Sequence, residues 1–445
     1  MASRLWNLLI PAALAAASLA LASACDPCAK CSGKKTPTPT GTPSATTTAT
    51  STATPTATPT MAPNACLPSS SFGVLVQGTN ATAYVPLGNW GSETTGVVVV
   101  PIETNSGIGT GGSPTQISTP NVVNSCSSNS ATGQTFCAAN NTDVYLINGT
   151  TLTNTFTSGA TSTQSFSGGS CENCGVVADS STNKALLTIG LATGGPGGYQ
   201  FLDLGVSPPA FETPIPAGDD TSEDVSIDPT RKLILSPNEG GNYQIVNIGG
   251  SSPVIFNNAV TGSPEFDSAA EDCTTGIALA TDEETSNLFF ADLTQATFTP
   301  GSPGTWSAPN QLENFPEFDG FSAGTDGIAV APGTHLAIVT GEFGGNLEGV
   351  VELPSTSGTG TPGAVDWVAF TVPNDPSGNT WNQGFDPHTV TSYVSPNTNK
   401  ALGVLGNDSN TFLAIVDLQG LLNAPRTGHV VNNPLPTGLV TFLAQ

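Results

Sequence analysis

The chain has 445 residues, 34 acidic against nine basic side chains, a formal charge of −25, and 50 Gly with 36 Pro. With so few cations no basic surface can neutralise phosphates, which excludes nucleic acid and favours a neutral or cationic partner. Apolar residues come in short runs broken by turn residues, the pattern of strands rather than of long helices.

Residues 1–24, MASRLWNLLIPAALAAASLALASA, carry one positive charge (Arg4), an apolar stretch and small residues at the end, the plan of a secretion signal rather than of a membrane span. Cleavage would expose Cys25. The stretch LASAC resembles the lipobox of bacterial lipoproteins, whose cysteine carries the lipid, although Ala22 stands where that pattern more often has Leu. Ordinary signal peptidase is the alternative. The resemblance implies an exported, lipid-anchored protein of the bacterial cell envelope; without the lipid it is a secreted one.

Residues 25–66 follow as a Cys-containing anchor and tether. Within them, TPTPTGTPSATTTATSTATPTATPTMAPN (36–64) has no charge and no large apolar group besides Met61, so it cannot bury a core. Such a Thr/Pro chain stays extended, at roughly 3 Å per residue.

Residues 67–445 form the expected folded body, with five basic residues against 33 acids, a balance of −28. One unit recurs along it: an apolar strand, a small turn, a second apolar strand, a Gly/Asn/Asp turn, and a third strand. The clear copies are 174–205, 224–249, 272–293, 326–354 and 388–420, with weaker ones at 72–103 and 121–149. Repeated antiparallel units with short turns and no long amphipathic helix predict an all-β fold, a single β-propeller, most simply of seven four-stranded blades, with six or eight as alternatives. The tail GLVTFLAQ (438–445) is expected to pair with N-terminal strands and close the ring.

The turns carry a family resemblance. IDPTRKLIL, VSPNTNKALGVL and VAPGTHLAIV resemble the strand, Asp/Ser-Pro turn, strand signature of the YVTN, NHL and lactonase-like propeller repeats. That resemblance implies a fold; enzymes, binding modules and scaffolds all use it.

Nine cysteines in an exported chain leave eight for pairing if Cys25 is lipidated. Cys126 and Cys137 fall on the first and second strands of one blade, where a cross-strand disulfide is expected. Cys171 and Cys174 form a CxxC, read as a structural disulfide with a redox or thiolate site as the alternative. No CxxCH is present, which removes c-type haem. Cys28 and Cys31 suit a small loop or intermolecular pairing, and Cys66 and Cys273 have no partner legible in the sequence.

Aligned copies put Glu172 and Asn173, Glu223 and Asp224, Glu271 and Asp272, Asp326, and His388 where five inner strands begin. A ring of oxygen donors from separate blades would suit Ca²⁺, and a bound cation could polarise an ester or phosphoryl oxygen, with His388 as the candidate base. The opposing account is that an Asp beside a turn hydrogen-bonds nearby backbone N–H groups. There is no GxSxG elbow, Walker loop or HExxH. The expected function is therefore an envelope-anchored binding module for a protein, glycan or small ligand. The alternative is a divalent-metal hydrolase of lactonase or phosphoesterase type.

Overall fold

A computed structural model describes residues 67–68 and, within 72–445, every residue except 89–93, 140–142, 158–174, 180, 190–197, 217–224, 239–241, 251–252, 260–264, 284–286, 296–309, 315–323, 342–345, 357–363, 383–388 and 408–410. Among the described residues the chain is almost wholly antiparallel strand; its one α-helix is Leu418–Leu422, capped by Asp417.

The sheets are meanders read outward in sequence order. The first two blades share one strand: Thr115–Asn129 pairs with Thr95–Thr104 through its first part and with Gln134–Ala139 through its last. Separate sheets follow, led by Val176–Asp179, Ser226–Asp228, Phe266–Asp272, Thr325–Ala331 and Val390–Val394. First strands of successive blades lie against one another, so they are the inner strands around a central axis. The result is the expected β-propeller, and among the described residues it has seven such meanders.

The core sits between blades. Seven apolar clusters are buried among the described residues, each made by two neighbouring blades. One joins Phe72, Ala83 and Val100 of the first blade to Tyr393, Val404 and Ile415 of the last, which closes the ring by packing. Alternate residues on each strand face opposite sheet neighbours, so both faces are apolar and the strands read as continuous hydrophobic runs rather than as polar-apolar alternations.

Two expectations are corrected. The tail does not pair with N-terminal strands: Val440–Ala444 pairs with Phe412–Asp417 and becomes the outer strand of the last blade. The chain first leaves through the short helix and a hairpin that adds Val430 beside Ala369 on the sixth blade, then returns to the edge of Phe412–Asp417. The fifth blade starts one strand earlier than the repeat suggested. Its inner strand is FDSAAED (266–272), and GIALATD supplies the second strand, Ile277–Asp282. Small and acidic residues hide this strand from a search for apolar runs, but next to the axis there is little room for large side chains.

Candidate functional site

The hairpin turn between first and second strands builds the site. Asp179, Asp228 and Asp272 end their inner strands, and each Oδ1 accepts the N–H two residues on, from Ser181 and Thr230 at 2.8 Å and Thr274 at 2.9 Å. The turn ends in a left-handed residue, Lys232 and His335 at φ 60°, Asn399 at 59° and Gly276 at 78°. Asp at the first position and a left-handed final residue are what this turn requires. His335 occupies that last turn position.

Beyond the turns, three blades meet through charge. Arg231 Nη1 donates to Asp228 Oδ2 at 2.8 Å, to the Cys273 carbonyl at 3.1 Å and to Glu271 Oε1 at 3.3 Å. Asp272 Oδ2 faces His335 Nδ1 of the sixth blade at 2.5 Å. A Cβ on Gly276 would lie 2.6 Å from Arg231 Cζ, so the guanidinium packs over this glycine. Burial, then the neighbouring Asp228 carboxylate, pushes the Glu271 carboxyl well above its ordinary range, against the pull of Arg231. The Tyr243 hydroxyl is also pushed up, by burial and by Glu271. Asp228, Glu271 and Asp272 have no side-chain exposure, while Arg231 and His335 keep 22% and 25%, which leaves those two as the solvent-facing groups.

The expected acidic ring does not assemble from the described members. Glu271 and Asp272 lie where an inner strand ends, whereas Asp326 lies where one begins. Asp282, paired opposite Phe266 at the start of the fifth inner strand, donates its N–H to Thr325 Oγ1 beside Asp326. Asp272 is bonded to His335 at the other end, so the two levels are separated by about five residues, roughly 16 Å at strand rise. The residue equivalent to Asp326 is Asp267: each is buried and each falls within a register shift of its inner strand. The misplaced start of the fifth blade concealed this pair. A usable signal was present in second strands, where ALLT, IALAT and LAIVT place Thr188, Thr281 and Thr340 against the backbone of the inner strand at Gly175, Ser268 and Gly327. Glu172, Asn173, Glu223, Asp224 and His388 lie outside the described residues, as do Cys25, Cys171 and Cys174. Among the described residues no three His, Cys, Asp or Glu side chains are arranged to hold a metal ion.

The axis carries a feature that the sequence did not announce. Leu67–Pro68 forms a short strand antiparallel to the fourth inner strand, Leu67 opposite Ile227 and Pro68 opposite Ser226. It also lies against the inner strands of the third, fifth and sixth blades. A segment that touches four consecutive inner strands is in the channel. The expected Cys126–Cys137 disulfide is present, joining directly paired residues with a Cα separation of 4.1 Å. Cys273 is also disulfide-bonded, to a partner outside the described residues.

No family model matches the chain, and no curated protein does. Among solved structures, the β-propeller domain of Myceliophteria thermophila Cps50 (Swd1) is similar at 9% identity and TM-score 0.49, over 76% of this chain and 93% of that one. A functionally unknown protein from Desulfotomaculum acetoxidans DSM 771 is similar at 13% identity and TM-score 0.47, over 84% and 99%.

Proposed function

We propose that this chain is an exported, envelope-anchored propeller that binds a neutral or cationic protein, glycan or small ligand, and that turnover is not its role. The observation that carries this reading is the engagement of the turn acids. Asp228 and Asp272 are each bonded to a turn N–H and to a cationic or imidazole side chain, and Glu271 is buried against Arg231. No base stands ready beside a nucleophile among these groups. The charge balance supports the partner chemistry. Lys184, Arg231, Lys400 and Arg426 are already paired with carboxylates, so the charge left for a partner is negative.

The lipobox-like LASAC and the uncharged Thr/Pro tether support anchoring through Cys25, and the turn signature supports kinship with YVTN, NHL and lactonase-like repeats. Fatty-acid labelling of cells expressing the chain should mark the wild type and leave Cys25→Ala unmarked. The decisive test is a panel of esters, lactones and phosphoesters offered to the purified body with and without Ca²⁺. Turnover lost in Glu271→Gln or Asp326→Asn, together with stoichiometric Ca²⁺ binding by calorimetry, would overturn the binding reading in favour of a metal-dependent hydrolase.

A further inference from the structure

We propose that the turns of blades four to six carry a subsite for neighbouring hydroxyls of a neutral glycan, held by Arg231 and His335. This site names a ligand class for the seam to which a binding role has just been given, and it rests on that role. The two arginines of the folded body are used differently. Arg426 turns both terminal nitrogens onto one carboxylate, Nη2 to Asp366 Oδ2 at 2.7 Å and Nη1 to Oδ1 at 3.1 Å. Arg231 makes its bonds through Nη1 alone, to Asp228, Glu271 and the Cys273 carbonyl. Its Nε–H and the adjacent Nη2–H, two parallel donors on one edge of a planar group, meet no acceptor among the described residues, while the side chain keeps 22% exposure.

Gly276 fixes that edge in place. A Cβ there would lie 2.6 Å from Arg231 Cζ, 2.7 Å from Nη2 and 2.8 Å from Nε, so the guanidinium can lie flat across the turn only because the residue beneath it is glycine. On the other side of the same hairpin, His335 Nδ1 faces the buried Asp272 carboxylate. The carboxylate accepts from Nδ1–H, which leaves Nε2 of the neutral ring as an acceptor. Glu271 and Asp272 are consecutive strand residues and project to opposite faces. Arg231 and His335 therefore flank the blade-five turn, whose residue Thr274 is exposed.

Charge decides the ligand class. A free guanidinium edge suits a carboxylate or phosphate in general, but this cation already faces Asp228 at 2.8 Å and Glu271 at 3.3 Å, within a body of 33 acids against five basic residues. An incoming anion would find no unmatched cation and would meet that field. Two adjacent hydroxyl oxygens of a sugar accept from the parallel N–H groups without adding charge, and a further hydroxyl donates to His335 Nε2. Each hydroxyl both donates and accepts, so one polyol answers the fork and the imidazole together.

An array of neutral and uronate-bearing oligosaccharides offered to the purified full chain tests the subsite, followed by calorimetry on the strongest neutral binder. Arg231→Lys keeps a cation beside Asp228 but loses the fork, and should weaken that sugar about tenfold or more. Thr274→Trp, at an exposed position between the two groups, should weaken it as much by covering the site. A second measurement needs no change at the site. The chain has three arginines, Arg4, Arg231 and Arg426, so in nitrogen–proton spectra of their Nε–H groups the sugar should move the Arg231 signal, absent from the spectrum of Arg231→Lys, or retained in that of Arg426→Lys, and leave Arg426 in place. An array on which no neutral sugar binds, or only uronates do, overturns the proposal, as does an unmoved Arg231 signal. A neutral sugar held at full affinity by both variants sinks the subsite and leaves the binding role standing, whereas metal-dependent turnover of the ester panel sinks both. If Arg231→Lys does not fold, Thr274→Trp and the spectra decide.

Discussion

Two seams of the ring satisfy their buried carboxylates by different means. Between blades four, five and six, Asp228, Glu271 and Asp272 meet one guanidinium and one imidazole. Where blade seven closes on blade one, Glu103 is buried and accepts only from neutral groups: Ser395 Oγ at 2.6 Å, Asn397 Nδ2 at 2.9 Å and Tyr393 Oη at 3.1 Å. Asn397 Nδ2 also reaches the carbonyls of Thr79 and Thr104, each at 2.8 Å, which ties the last turn to two strands of the first blade. Burial, then Glu103, pushes the Tyr393 hydroxyl up, so it remains a donor at any ordinary pH. The charged seam gathers acids around a cation; the closing seam surrounds one carboxyl group with several neutral dipoles. Both replace lost hydration, but only the first depends on a cation, and the raised pKa of Glu271 ties it to pH.

That contrast can be broken most severely at Arg231. Arg231→Met leaves the buried Asp228 carboxylate without its cation and should cost about 3–5 kcal/mol in urea unfolding; a loss within error of zero would mean that the seam is passive. Glu103→Ala should cost less, about 2–3 kcal/mol, because the groups stranded at the closing seam are neutral donors. If it costs more than Arg231→Met under the same conditions, ring closure outweighs the charged seam.

The seams should also separate by pH. The folded-state pKa of Glu271 is raised above its ordinary value of 4.5. Its contribution is therefore fully present below that value and is lost as pH rises through the folded pKa. Glu271→Gln should match the wild type near pH 4 and be the more stable of the two at pH 8, flattening the profile of unfolding midpoints. A variant that is less stable at pH 8 would show Glu271 to be ionised and held by Arg231. The smallest effect is expected at the turn itself. Lys232→Gly relieves a side chain at φ 60° and should stabilise the fold by about 1 kcal/mol, read as a raised thermal midpoint.

Much of the fold was legible because its instructions are local. An apolar run, an Asp or Ser, a Pro or polar pair and a left-handed residue such as Lys232 or Asn399 specify a hairpin through hydrogen bonds two to four residues long. The same locality explains why Asp272 proved to be a turn residue: its bond to the Thr274 N–H is fixed by spacing alone. The candidate site was harder to read, since FDSAAED is an inner strand without an apolar pattern. One misplaced strand start moved Glu271 and Asp272 to the wrong end of the channel and left Asp267 out of the expected ring.

The sequence by itself determined a repeated antiparallel hairpin, hence an all-β propeller, an acidic body and a cross-strand pair at Cys126 and Cys137. Tertiary structure alone decided which acids share a level, that Arg231 spans two blades, that Tyr393 meets Glu103 across 290 residues, and that Leu67–Pro68 enters the channel. The division has a physical cause. Hairpin geometry is set by neighbours along the chain, whereas a buried charge takes whatever donor ring closure brings to it, and that partner has no fixed spacing in sequence.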